Sequence, residues 1–274
     1  MVGTIAQLVA LACHGNASLR GSAPSSNLLG TNSTCQFCEY VRFVRIGKTW
    51  LGKPKDIPVA DSPEAWFSWL RSQDASGIRL EHQPSQDPRL PDRMTAGFVG
   101  GGGRTSLTVR RGGALDIWLA RWEVGDQQAK NRRIWRVTYE LITTLSGTTF
   151  ATPSPQEAHL GLEHALRDIR DFADAEQNEL FVKCFDAALA SLTDHSQRNG
   201  YHRDLYPEGT LSITSSALLD AAQPAWVFGG MGSWNEQCFK NTPEEYARVS
   251  AQLYDAVLHA ICAATNESDR SSNS

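Results

Sequence analysis

The chain has 274 residues, 41% of them hydrophobic and 20% charged, with a formal net charge of −4 and six cysteines. That balance supplies apolar mass for a sizeable core and excludes a largely disordered chain, and six thiols over this length exclude a disulfide-built scaffold. No apolar run approaches the roughly 18 residues of a membrane helix, so no membrane-spanning helix is expected.

Residues 5–13 are apolar and predict a buried first strand or helix. Ala10-Leu11-Ala12-Cys13 faintly resembles a lipoprotein cleavage site. No Lys or Arg precedes Arg20, however, so export is disfavoured and a cytoplasmic location is expected. Cys13-His14-Gly15-Asn16 follows, at the kind of position where site residues often sit. His14 is a candidate acid–base group and Asn16 a candidate ligand contact, against the plainer reading of a buried thiol and a turn. Cys35-Gln36-Phe37-Cys38 has metal or redox spacing, but no second Cys pair follows and the motif precedes a strand rather than opening a helix. No metal site is therefore expected, and any cofactor is left unknown.

Residues 39–46 alternate with period two and predict a strand. Ser62 and Pro63 then open a helix whose apolar face is Ala65, Trp66, Trp69 and Leu70. Residues 82–93 are dense in turn formers and read as loop. The glycine run 100–103 lacks the Lys-Ser/Thr ending of a phosphate loop and reads as a hairpin loop or flap. Alternation at 105–109, 115–119 and 135–141, with short joins, predicts an antiparallel meander. Ser154-Pro155-Gln156-Glu157 has capping-box spacing and begins a helix. Further helices are predicted over 180–192, over 215–222, and from a second capping box at Thr242-Pro243-Glu244-Glu245. The fold class is therefore α+β, an antiparallel sheet from the N-terminal half packed against a helical C-terminal half. One domain is expected over 1–264, strand-rich in 1–150 and helical in 151–264. Residues 265–274 hold no apolar side chain and are expected to be a disordered tail.

Charge divides along the chain. Residues 1–150 hold 18 basic and 12 acidic side chains, and residues 151–274 hold 8 basic and 18 acidic. Arg110, Arg133 and Arg136 lie in a basic stretch that also carries Trp118, Trp122 and Trp135. Arginine forks bind phosphate or carboxylate and stack on rings, so a basic, aromatic sheet face suits a small anionic ligand. The plainer reading is that these arginines pair with carboxylates or are simply solvated. Residues 228–236 are the most unusual segment. Gly229, Gly230 and Gly232 allow close backbone approach and an anion nest, with Ser233, Trp234, Asn235 and Glu236 as polar or wall contacts. Tyr201-His202-Arg203-Asp204 is a minor candidate.

Three functions follow from these residues. The first is binding or turnover of a small anionic molecule. Arg110, Arg133, Arg136, Asn16, Gly229, Gly230, Gly232, Trp234 and Asn235 would hold it, and His14, Glu236 and Ser233 would be the catalytic groups. The second is a non-catalytic protein-interaction module, suggested by eight tryptophans and implying a protein partner. The third is single-strand nucleic-acid binding, which the net acidic charge disfavours.

Overall fold

A helix that is apolar on every side has to be buried on every side. Residues 5–13 form such a helix, α1 (Gly3–Leu19), in which every side chain from Ile5 to Cys13 is buried. The computed structural model describes residues 1–22, 27–48, 54–85, 87, 89–147, 153–194 and 200–269. A short helix α2 (Leu28–Thr31) leads into strands β1 (Cys38–Lys48) and β2 (Pro54–Ala60). Helix α3 (Pro63–Ser72) starts where the Ser62 hydroxyl accepts the Ala65 N–H, as its sequence predicts. Strand β3 (Ala75–Gln83), the single-turn α4 (Asp92–Thr95) and strands β4 (Arg104–Arg111), β5 (Ala114–Val124) and β6 (Trp135–Ser146) complete the first half. The second half is helical, with α5 (Pro155–Ala175), α6 (Glu179–Thr193), α7 (Ile213–Ala225) and α8 (Pro243–Glu267). The capping box at Ser154 and Glu157 is formed. That at Thr242 is not, because its hydroxyl donates instead to Glu176.

The six strands run in the order β2-β1-β6-β5-β4-β3. The α+β class stands, but the sheet is mixed rather than antiparallel. β4 to β6 form the expected antiparallel meander, which the unpredicted β3 extends, and β1 and β2 form a second antiparallel pair. The two units join through β1 and β6, which run parallel over Cys38–Arg45 and Trp135–Leu141. Short joins dictate antiparallel pairing only between consecutive strands. β1 and β6 are not consecutive, so loop length carried no information about their direction.

Helices α1, α3 and α8 lie against the sheet, while α5, α6 and α7 pack among themselves and on α8. Phe43 stacks on Trp66 at 4.3 Å between ring centroids, with Trp118 and Tyr139 beside them. A second aromatic cluster in the helical layer encloses Trp234 with Phe172, Phe181, Phe185, Phe239 and Tyr246.

Among the described residues the outer edge of β3 has no neighbouring strand, and two buried asparagines close it. The Asn16 carboxamide donates to Ile78 O and accepts from Ile78 N, each at 2.7 Å. The Asn266 carboxamide does the same to Leu80, at 2.9 and 2.6 Å. Gly15 makes this docking possible, because a Cβ there would lie 2.4 Å from Ile78 Cδ1. Residues 265–269, expected to belong to a disordered tail, are instead ordered. Asn266, Ser268 and Asp269 are buried, and Asp269 takes two hydrogen bonds of 2.8 Å from Arg110. These polar side chains satisfy backbone and guanidinium groups, a task that needs no apolar residue. Residues 270–274 lie outside the described residues.

Asn266→Ala leaves the Leu80 N–H and C=O facing a buried edge without partners. It should cost about 3 kcal/mol, seen as a lower urea midpoint with the m-value unchanged. A loss below about 0.5 kcal/mol would mean that water serves this edge equally well.

Candidate functional site

Most of the sheet arginines are paired with carboxylates. Arg136 meets Glu39 at 2.8 Å, Arg111 meets Asp116 at 3.0 Å, and Arg121 reaches Glu140 at 2.6 Å together with Glu123 and Asp56. Arg110 holds Asp269 at one end of the sheet, whereas Arg133 donates to Cys38 O at the other. Asn16 lies on the β3 edge near the Arg110 end. His14 accepts from or donates to no side chain there, and its Nε2 lies 3.1 Å from Asp204 O. Burial lowers its pKa, so it is neutral near pH 7.

The glycine segment is largely satisfied by its own residues. Ser233 Oγ donates to Gly229 O at 3.0 Å, and Gly232 N donates to Glu236 at 2.6 Å. Gly232 has a φ of +79°, which only glycine adopts at little cost. Trp234 is fully buried and donates through Nε1 to Ser250. Asn235 donates to Arg93 O at 2.7 Å and accepts from the Arg93 guanidinium, tying the segment to α4. The two glycine-rich loops touch, since a Cβ on Gly97 would lie 2.6 Å from the Gly229 carbonyl carbon. Gly230 faces open space. The predicted residues therefore fall into four places: the β3 edge with Arg110 and Asn16, His14 beside Asp204, the glycine segment beside α4, and Arg133 with Arg136 where β1 and β6 begin.

That last place adjoins a cleft of about 490 Å³ at the N-terminal end of α1. Its walls include Phe37, Phe98, Val99, Trp122, Trp135 and Tyr201, and its polar lining includes Thr4, Ser33, Cys38 and His202. Trp122 and Trp135 come from the adjacent strands β5 and β6 and meet edge-to-face at 5.9 Å. Phe98 and Val99 come from the loop after α4, which Tyr254 holds by donating to Gly102 O at 2.7 Å. Val2 gives the first-turn N–H groups of α1 no side-chain acceptor.

Ser33 and His202 are 169 residues apart in the chain, yet Ser33 Oγ lies 2.8 Å from His202 Nδ1. The same hydroxyl donates to an Asp204 carboxylate oxygen, and the other Asp204 oxygen accepts the Ser33 N–H at 2.7 Å. Burial holds His202 down to about 4, so the ring is neutral at pH 7 and Nδ1–H donates to the hydroxyl. A nucleophile relay needs the carboxylate on the histidine and the histidine on the serine proton. Here the serine hydroxyl donates to the carboxylate instead of to the histidine, so the three groups do not form that relay. His202 was only a minor sequence candidate, and Ser33, Phe37, Phe98 and Trp135 carried no local signal of convergence.

Compared with family models, curated proteins and solved structures, the chain matches none.

His202 also sets a pH dependence. Its folded pKa of about 4 lies below the unfolded value of 6.5, so the unfolded chain takes up a proton that the folded chain refuses. Stability should therefore fall as pH drops from about 6.5 to about 4, by up to roughly 3 kcal/mol, and level off below that. His202→Gln should flatten this fall in urea midpoints measured against pH.

Proposed function

We propose that this protein binds a small molecule with an aromatic or apolar body and an anionic group, in the cleft at the start of α1. The observation that carries this reading is the cavity of about 490 Å³ walled by rings from two strands and three loops. That volume lies within the ordinary range of small-molecule pockets, and convergent aromatic walls with a few polar groups are their usual lining. Two features favour a negative group. Arg133 donates to the carbonyl of Cys38, a residue of the cleft wall, and the α1 N-terminus presents its partial positive charge there. The neutral His202 and the Ser33 hydroxyl supply hydrogen bonds of fixed direction. Binding without turnover is favoured because the Ser33 hydroxyl, which has a histidine beside it, donates its hydrogen bond to Asp204 rather than to that histidine.

A second reading, a surface for a protein partner, is favoured by Phe98 and Tyr201, which are 67% and 68% exposed at the cleft mouth. Nucleic-acid binding has less support. Trp118 is 0% exposed and offers no face to a base, and the neighbouring arginines are already paired.

The test is thermal unfolding with benzoate, naphthoate and indole carboxylates, set against the matching uncharged alcohols. An acid present at a hundredfold excess over its Kd should stabilise the protein by about 2.7 kcal/mol. Trp122→Ala should remove most of that gain, whereas Arg110→Ala, at the far end of the sheet, should leave it in place. No shift with any acid, or a shift that survives Trp122→Ala, rejects the cleft as the ligand site.

A further inference from the structure

Gln7 is a polar side chain near the start of α1, fully buried among Leu, Val and Ala neighbours. A carboxamide in such a place needs partners. Its Oε1 accepts from Tyr139 Oη at 3.0 Å, and its Nε2 donates to Thr34 O at 3.2 Å. The same nitrogen lies 3.6 Å from Cys35 Sγ and 3.4 Å from Cys38 Sγ. One amide thus holds two free thiols face to face, across the bend from a 3-10 turn over Ser33–Cys35 into the start of β1. Among the described residues no three His, Cys, Asp or Glu side chains come together, so the pair lacks the further ligands of a zinc site. Cys38 lines the cleft, and Cys35, 2% exposed and not itself on the wall, is reached past it by a reagent of a few atoms.

We propose that Cys35 and Cys38 form a dithiol that hydrogen peroxide oxidises reversibly to a disulfide. The Cys35 thiolate attacks one peroxide oxygen and the O–O bond breaks. The departing hydroxide takes a proton and becomes water, and Cys35 becomes a sulfenic acid. The Cys38 sulfur then attacks Cys35 sulfur. The S–S bond forms as the sulfenic hydroxyl leaves with the Cys38 proton, as a second water. Two thiols lose two electrons in all, and one peroxide is reduced to two waters. The division of roles follows from the contacts. The hydrogen bond from Cys38 holds Cys35 below the usual thiol range, and the same contact with burial pushes Cys38 above it. Cys13 and Cys262 are buried and pushed up to about 12, so they do not compete. The proposal does not depend on what the cleft binds, and failure of the aromatic acids to bind would leave it standing.

The test uses the full chain carrying Cys184→Ser and Cys238→Ser, which removes the half-buried and the exposed thiol. A small excess of peroxide should remove two hydrogen masses from the intact protein. Peptide mapping should join Cys35 to Cys38, and dithiothreitol should restore both thiols. Adding Cys38→Ser should halt the reaction at a Cys35 sulfenic acid that dimedone captures, whereas adding Cys35→Ser should give no dimedone adduct. Gln7→Met, which keeps the volume but withdraws the amide, should slow disulfide formation about tenfold. Near-UV circular dichroism checks that each variant is folded. Retention of both thiols by folded protein, cross-linking of any other pair, or a dimedone adduct on Cys38 overturns the proposal.

Discussion

Two carboxamides on the free edge of β3 hold the architecture together. A carboxamide presents an N–H and a C=O side by side, much as a peptide unit does, so Asn16 and Asn266 stand in for a missing strand. Exposed edges invite pairing with other chains, and natural sheets blunt them by various means. Here the means also docks helices, because one asparagine belongs to α1 and the other to α8. Those two helices carry much of what lies elsewhere. The far end of α1 borders the aromatic cleft, while α8 supplies Tyr254 to hold the glycine loop and Ser250 to receive the Trp234 indole.

Electrostatics plays a different part from the one the charge distribution suggests. The basic stretch and the acidic half invite a picture of one half attracting the other or attracting a ligand. Most of the sheet arginines instead meet carboxylates of the sheet itself, as Arg136 meets Glu39 and Arg121 meets Glu140. Such half-exposed pairs each add less than about 1 kcal/mol and weaken with salt. Arg110 with Asp269 is another matter, since the carboxylate is almost wholly buried and the pair joins β4 to the end of α8. Arg133 is the arginine of this set that stands beside the cleft.

The legible part of the fold was the part written in short-range terms. Alternation gave β1, β4, β5 and β6, and the serine caps gave the starts of α3 and α5. β2 was hidden by Pro54 and Pro58, and β3 by Gly77 and the polar residues that end it. The direction of β1 against β6 was hidden because no local rule governs strands that are far apart in the chain. Site residues failed for the same reason. Ser33 and His202 are separated by 169 residues and Asn266 and Leu80 by 186, and nothing near any of them announces the other. Asn16 and the glycine segment drew attention for sound chemical reasons, yet their polar groups are largely engaged with backbone. The Cys35 and Cys38 spacing was visible, but the amide that brings meaning to it comes from Gln7, in a stretch whose other residues are apolar.

The parallel seam between β1 and β6 bears on the order in which the chain assembles. β3 to β6 are linked in sequence, so each pairing closes a short loop at little entropic cost. The β1–β6 pairing must instead span the whole intervening stretch, Cys38 meeting Trp135, and gains nothing until that loop is closed. The meander is thus placed to collapse first, with the β1 side of β6 bare while it waits. Before that pairing the β1 side of β6 is an unpaired edge, on the strand that bears Val137, Tyr139 and Leu141. An unpaired edge of that kind is a template for mispairing with other strands.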